Sequence, residues 1–387
     1  MSGCKSLVAF LLVFSLSLLT FCPLRVNAEE PATPSVSAES AVLIEAQSGN
    51  VIYSKNADQR LPMASTTKII TALTALSQAR PDTVITADAD AVGVEGSSIY
   101  LVEGEALTLE QLLYALLLES ANDAAVAIAI GVSGSVEAFA EQMNLLADVL
   151  GLQDTHFVNP HGLDHKDHYT TASELAKLTR YALQNELIRE IVGTRKTTIP
   201  HPGEVGTRLL INHNKLLRLY EDCIGVKTGF TKRSGRCLVS AADRDGVTLI
   251  AVTLNAPDDW NDHISLLEYG FSKYESVLLC EDGEYLFPLS VVGATDSYVM
   301  LGNASPLRIT LPIDHGEIQT TVEAQRFAYA PIAEGETLGK VVFRCDVDGD
   351  GSVEIIGEVP LNSCYSLLRH SPKRSFWQWL MQLFSRG

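Results

Sequence analysis

The chain has 387 residues, 46% of them hydrophobic, and 47 acidic against 29 basic side chains give a formal net charge of −18. That excess of acid excludes a nucleic-acid-binding role, which needs a basic surface. The length is enough for two domains with real cores.

Residues 1–28 read as an export signal: Lys5, an apolar run from Leu7 to Phe21, then Val26-Asn27-Ala28 before Glu29. The run is short for a membrane span, and bulky Phe21 before Cys22 argues against a lipoprotein cleavage site. Residues 29–40 form a Pro/Ser/Ala/Glu linker, and residues 41–55 alternate around Ser48-Gly49-Asn50 as a hairpin.

The first chemical motif is Ser65-Thr66-Thr67-Lys68. Ile69, Ile70, Leu73 and Leu76 predict a helix over 65–77, which places Ser65 and Lys68 on one face. A serine hydroxyl becomes a good nucleophile only when a neighbouring base takes its proton. A lysine serves as that base only if burial or a second cation lowers its pKa. Thr108 to Gln111 is a capping box opening a helix over 109–119, which ends at Ser120-Ala121-Asn122, 55 residues after Ser65. Ser120 can relay a proton to a leaving amine, and the Asn122 amide can hold a substrate backbone. A second apolar helix begins near Asp123. Thr171 to Glu174 is another capping box, starting a helix to about Gly193.

Strands follow near 222–230, 236–242 and 246–254, the last two joined at Asp245-Gly246. The first carries Lys227-Thr228-Gly229, 107 residues after Ser120, and reads as an edge strand. Lys227 supplies the second cation, and with Thr228 it can bind a substrate carboxylate. Gly229 leaves room for a peptide to lie along the strand. The backbone N–H groups of Ser65 and Phe230 are the natural pair to receive a developing oxyanion. Any one triplet also reads as a cap or a surface turn; the three in this order are those of an active-serine acyl-transfer enzyme without a catalytic histidine.

From about residue 277 helical periodicity stops. Short alternating segments at 284–289, 297–301, 307–311, 319–323, 339–345 and 352–359 predict a small all-β domain over 277–366. The run Asp346-Val347-Asp348-Gly349-Asp350-Gly351 imitates a calcium loop, but Gly357 stands where the bidentate Glu is needed, so it reads as an acidic hairpin turn. His156, His161, His165 and His168 cluster around Asn159-Pro160, where a hydrogen-bonding role for His161 is preferred to a metal site. Five cysteines follow the leader, so at least one thiol is unpaired or bridges to another molecule. Cys223 and Cys237 read either as partners across the Lys227 hairpin or, preferably, as two buried thiols. Residues 371–387 place Phe376, Leu380, Leu383 and Phe384 on one helical face, with cations at both ends and Trp377 and Trp379 within. This predicts an amphipathic helix lying on an anionic membrane.

Through these motifs the chain resembles the serine-type D-Ala-D-Ala carboxypeptidases, the low-molecular-mass penicillin-binding proteins of peptidase family S11. The resemblance extends to Leu61-Pro62-Met63-Ala64, Asn159-Pro160-His161-Gly162-Leu163-Asp164, Gly225 to Thr231 and Gly235-Arg236-Cys237-Leu238-Val239-Ser240. It covers residues 40–275 well and the remainder loosely. It implies an α+β fold, an antiparallel sheet covered by helices over 41–276, followed by the β domain and the membrane-anchor helix. By the same resemblance Ser65 is the acylated nucleophile, Lys68 its base, Ser120 and Asn122 the second element, and Lys227, Thr228 and Gly229 the third. The substrate would be the peptidoglycan stem peptide at the extracytoplasmic face of the bacterial membrane, with β-lactams as inhibitors and no metal or cofactor. A D,D-endopeptidase or β-lactamase on the same scaffold, or a non-catalytic wall-binding protein, are the alternatives. The chain departs from the family after Leu254, where Asn255-Ala256-Pro257-Asp258-Asp259-Trp260 lacks the arginine often found there.

Overall fold

The computed structural model describes residues 32–202 and 206–370. The expected leader, the start of the linker and the C-terminal amphipathic helix lie outside the described residues.

Strands β1 (Ser40–Glu45) and β2 (Val51–Lys55) form the expected hairpin. Helix α1 (Lys68–Gln78) follows, then the short pair β3 (Val84–Thr86) and β4 (Ala106–Thr108). Next come α2 (Leu109–Leu118), α3 (Asn122–Ser133), α4 (Val136–Val149), α5 (Ala172–Ala182) and α6 (Glu186–Gly193). A hairpin of β5 (Lys196–Pro200) and β6 (Thr207–Ile211), absent from the sequence reading, leads to the single turn α7 (Leu216–Leu219). Then β7 (Cys223–Thr231), β8 (Gly235–Arg244) and β9 (Val247–Leu254) run close to their expected bounds, before α8 (Asp259–Phe271).

The main sheet has the order β2-β1-β9-β8-β7, antiparallel throughout, so β7 is an edge. Its strands read as continuous apolar runs because both faces are covered, and alternate residues serve opposite cores. Val42, Ile44, Ile250 and Val252 face the helical core with Ile69, Leu112, Leu116 and Ile128. Ala41, Leu43, Leu249 and Ala251 face the other core with Leu266 and Leu267 of α8. The β8–β9 turn is tight because Asp245 and Gly246 both take positive φ, 51° and 86°.

The Thr108 box forms in full: Thr108 Oγ1 accepts from Gln111 N at 3.2 Å and Gln111 Oε1 accepts from Thr108 N at 2.9 Å. The helix expected over 171–193 is instead two. Asn185 Oδ1 accepts from Ile188 N at 3.1 Å and starts α6 anew. The second box is also incomplete, since Glu174 turns away to accept from Asp154 N and Thr155 Oγ1.

A second set of strands follows: β10 (Tyr274–Cys280), β11 (Leu286–Val292), β12 (Tyr298–Gly302), β13 (Leu307–Pro312), β14 (Gln319–Ala324), β15 (Ala328–Tyr329), β16 (Thr337–Asp346) and β17 (Val353–Ser363). They pair as β14-β16-β17-β12-β11-β15 and β10-β13 around a core containing Leu289, Val299, Leu301, Val341, Phe343 and Leu361. The acidic turn joins β16 to β17, with Asp346 Oδ2 accepting from Gly351 N at 2.9 Å and Asp350 Oδ1 from Ser352 N at 2.7 Å. All five described cysteines are free thiols. Cys237 stands opposite Gly229 and Cys223 opposite Ala242, so the hairpin does not face one against the other.

Candidate active site

Ser65 lies in a 3₁₀ turn, Ala64–Thr67, that opens into α1. The turn is tight because two hydroxyls bond backwards: Thr66 Oγ1 donates to Met63 O at 2.7 Å and Thr67 Oγ1 to Ala64 O at 2.8 Å. Ala64 adopts φ 47°, a left-handed conformation costing a non-glycine residue about 1–2 kcal/mol. Behind it Gly162 approaches so closely that a Cβ there would stand 2.0 Å from Ala64 O.

Lys68 follows one helical turn on, fully buried, with Nζ 3.0 Å from Ser65 Oγ. The same Nζ reaches Asn122 Oδ1 at 2.7 Å and His161 O at 2.6 Å. The Asn122 amide is oriented by Nδ2, which donates to Glu95 O at 2.6 Å, so its oxygen faces the lysine. A neutral amine therefore has two carbonyl acceptors for its N–H bonds and one lone pair left, directed at the serine hydroxyl. Burial, and then the nearby Lys227, hold the Lys68 pKa well below the usual lysine range, against the opposing pull of Asp123.

The second motif arrives at the end of α2. Ser120 takes φ 60°, and Lys227 Nζ donates to its Oγ at 3.1 Å and to Thr228 O at 2.9 Å. Burial lowers the Lys227 pKa to about 7. Asp123 is not the cap of α3. Its carboxylate accepts from Ser98 Oγ and from the backbone of Ile99 and Leu101, fastening the 97–101 loop beside the site.

The edge strand β7 closes the other side. A Cβ on Gly229 would lie 3.0 Å from both Ser65 N and Met63 O, so glycine is what lets the strand reach Ser65. Phe230 beyond it is 66% exposed. A cleft of 500 Å³ opens here, lined by Ser65, Ser120, Thr228, Gly229 and Phe230. The structure thus gathers Ser65, Lys68, Ser120, Asn122, Lys227, Thr228, Gly229 and Phe230 in one place.

It also adds residues to which the sequence reading gave no role. His213, Lys215, Arg218, Arg236 and Trp260 line the same cleft. Arg236 is paired bidentately with Asp259, Nε to Oδ1 and Nη2 to Oδ2 both at 2.9 Å, with its guanidinium 5.5 Å from the Trp260 ring centre. It enters from β8 rather than from the segment after Leu254. A lone arginine leading an apolar strand, with Asp258-Asp259 opening the next helix, is the signal that could have located it. His213 Nε2 lies 3.3 Å from Glu119 Oε2, and its pKa is lowered by burial and then by Lys227.

The four clustered histidines point to separate partners: His156 Nδ1 to Asp167 O, His161 Nδ1 to Leu163 N, His165 Nδ1 to Asp167 N, and His168 to Thr67 and Val158. Among the described residues, no group of three His, Cys, Asp or Glu side chains is arranged to hold a metal ion.

Residues 26–258 match the D-alanyl-D-alanine carboxypeptidase model of peptidase family S11. The D-alanyl-D-alanine carboxypeptidase DacF of Bacillus subtilis is 32% identical, over 92% of this chain and 93% of its own length. DacC of Escherichia coli, described by the same activity, is 30% identical over 89% of each chain. Among solved structures, penicillin-binding protein 5 of Haemophilus influenzae superposes with a TM-score of 0.65 at 27% identity, covering 87% of this chain and 99% of that one.

Proposed function

The chain belongs to the D-alanyl-D-alanine carboxypeptidases of peptidase family S11, and from that premise we propose which of its residues carry the reaction. Ser65 Oγ passes its proton to neutral Lys68 and attacks the carbonyl carbon between the two terminal D-alanines of a peptidoglycan stem peptide. The carbonyl oxygen, now negative, is received by the N–H groups of Ser65 and Phe230. Ser120 hands a proton from the Lys68–Lys227 pair to the departing amine, and D-alanine leaves. Water then gives a proton to Lys68 and attacks the ester; the serine recovers its proton as the tetrapeptide departs. Asn122 and β7 hold the peptide backbone. Thr228 and Lys227, with Arg236 or Arg218 beyond, receive the terminal carboxylate. Either arginine would stand in for the one that the segment after Leu254 lacks.

The observation that carries this reading is the coordination of Lys68 Nζ: two carbonyl acceptors and the serine hydroxyl, at 2.7, 2.6 and 3.0 Å. Its test is D-alanine release by the purified protein from a pentapeptide ending in D-Ala-D-Ala, with Ser65→Ala as control. Release that vanishes in the control, together with a penicillin adduct on Ser65 by intact mass, supports it. Release that persists in Ser65→Ala, or a folded protein that gives neither release nor adduct, overturns it.

A larger leaving group is a second reading with an observation of its own. A neighbouring cavity of 300 Å³, lined also by Arg195 and Lys196, shares Ile211, Asn212 and Arg218 with the cleft. That is more room than free D-alanine needs, so cleavage of a cross-linked stem-peptide dimer is its test.

For the rest of the chain we read residues 1–28 as an export signal and 371–387 as an anchor on the outer face of the membrane. The strands from about 277 form a module without chemistry of its own. Loss of membrane association on deleting 371–387 is the expected outcome in cell fractionation.

A further inference from the structure

His168 lies under the nucleophile turn, 3% exposed, and the reaction scheme above gives it no part. Its Nδ1 sits 3.2 Å from the backbone N of Val158, which can only donate, so Nδ1 carries the lone pair. The ring proton of the neutral imidazole is then on Nε2, 2.8 Å from Thr67 Oγ1. The Thr67 hydroxyl has one proton, and it goes to Ala64 O at 2.8 Å, since a carbonyl only accepts. The three groups form a one-way chain: Val158 N–H fixes the tautomer, His168 N–H fixes the hydroxyl rotor, and the hydroxyl holds the Ala64 carbonyl.

That carbonyl belongs to the peptide whose other end is Ser65 N–H. A trans peptide directs its C=O and N–H oppositely. Holding Ala64 O toward Thr67 therefore turns the Ser65 N–H away from it, to the side where β7 passes at Gly229. The peptide needs holding, because Ala64 is in a left-handed conformation from which it would otherwise relax. Gly162 packs on the same oxygen but supplies no hydrogen bond.

We propose that His168 is a positioning residue of the reaction: through Thr67 it orients the Ser65 N–H that receives the oxyanion. This rests on Ser65 being the nucleophile. Burial, followed by the charges of His161, His156, His165 and Lys68, lowers the His168 pKa to about 3, so the chain of donors stays intact across the working range of an extracellular enzyme.

The test compares Thr67→Val, His168→Ala, His168→Gln, His168→Asn and the Thr67→Val/His168→Ala double variant in the full-length protein. The readouts are penicillin acylation rate, kcat and KM for the pentapeptide, and affinity for a D-alanine-type boronic acid that forms a tetrahedral adduct. Thr67→Val and His168→Ala should each lower acylation and kcat roughly 10–100-fold with KM little changed, as expected for a misdirected oxyanion donor. Boronate affinity should fall by the same factor, and the double variant should be no worse than Thr67→Val alone. Gln, whose amide N occupies the Nε2 position, should restore most of the loss. Asn, which can satisfy only Val158, should not. Wild-type acylation by Thr67→Val, multiplicative losses in the double variant, or equal rescue by Asn and Gln would overturn the proposal. If His168→Ala fails to fold, Thr67→Val and the Gln/Asn contrast decide it alone. Absence of a Ser65 adduct in the unsubstituted protein would instead defeat the reading on which it rests.

Discussion

Lys68 and Lys227 share a buried site, and the charge on one bears on the proton of the other. Lys68→Ala should lower acylation roughly 10²–10⁴-fold, the usual worth of a positioned general base, with the fold retained by circular dichroism. Removing the second cation acts differently. In Lys227→Met the like-charge effect on Lys68 is gone, so its pKa rises and less neutral amine is present at a given pH. The acid limb of the acylation profile should move to higher pH, which stopped-flow measurements with a chromogenic β-lactam would follow. A limb that stays in place or moves downward would exclude Lys68 as the titrating base. Much of this site was legible from residue types and spacings, because Ser65 and Lys68 meet through an i,i+3 relation inside one turn. Arg236 and His168 were not, since each acquires its part from a partner far along the chain: Asp259 in one case, Thr67 at a separation of 101 residues in the other.

The elements around the site depend on a few close approaches. Gly162→Ala combines φ 88° with a Cβ only 2.0 Å from the Ala64 carbonyl oxygen, backbone against backbone. The loop must shift, and a loss of about 2–4 kcal/mol in denaturant unfolding, with acylation nearly abolished, is the expected outcome. The β5–β6 hairpin is held to the 98–105 loop by Arg208, which pairs with buried Glu105 and also donates to Tyr100 O. Arg208→Leu would leave that carboxylate buried with Val102 N as its one remaining donor among the described residues, and should cost about 3–5 kcal/mol; a change below 1 kcal/mol would show the pair to be dispensable. Element starts with strong local chemistry, such as the Thr108 box and the Asp245-Gly246 turn, were readable. The break between α5 and α6 and the β5–β6 hairpin were not. Leu183 and Leu187 continue the apolar spacing of α5 across the break, so that spacing by itself does not mark Asn185 as the cap of a new helix packed on β7 and α2.

Taken together, the molecule carries its buried lysines at the expense of stability. The unfolded chain binds the Lys227 proton up to about pH 10.4, whereas the folded chain releases it near 7. Between those values the unfolded state holds more protons, so stability rises with pH; below about 7 the penalty is complete and constant. Lys227→Met should therefore raise the thermal midpoint most at pH 7 and below, with the advantage shrinking toward pH 10. A midpoint difference that grows with pH would contradict the burial of a depressed lysine. The thiols make a separate test: Cys364 is exposed while Cys237, Cys280 and Cys345 are buried, so native alkylation should mark Cys364 first among the described cysteines.

The chemistry of this enzyme can be read along the chain because its motifs are local: a hydroxyl and an amine one turn apart, a capping box that delivers Ser120, a glycine on an edge strand, a turn that needs two positive φ angles. Those relations act over three or four residues and survive without knowledge of the fold. The convergence of the motifs is of another kind. Lys227 meets Ser120 across 107 residues, Asn122 meets Lys68 across 54, and His168 reaches Thr67 beneath the Ser65 turn from a separate loop. Such contacts follow from a sheet buried on both faces, whose alternating side chains dock a helical layer on one side and α8 on the other. No local pattern encodes which distant group will fill the last coordination of a buried lysine.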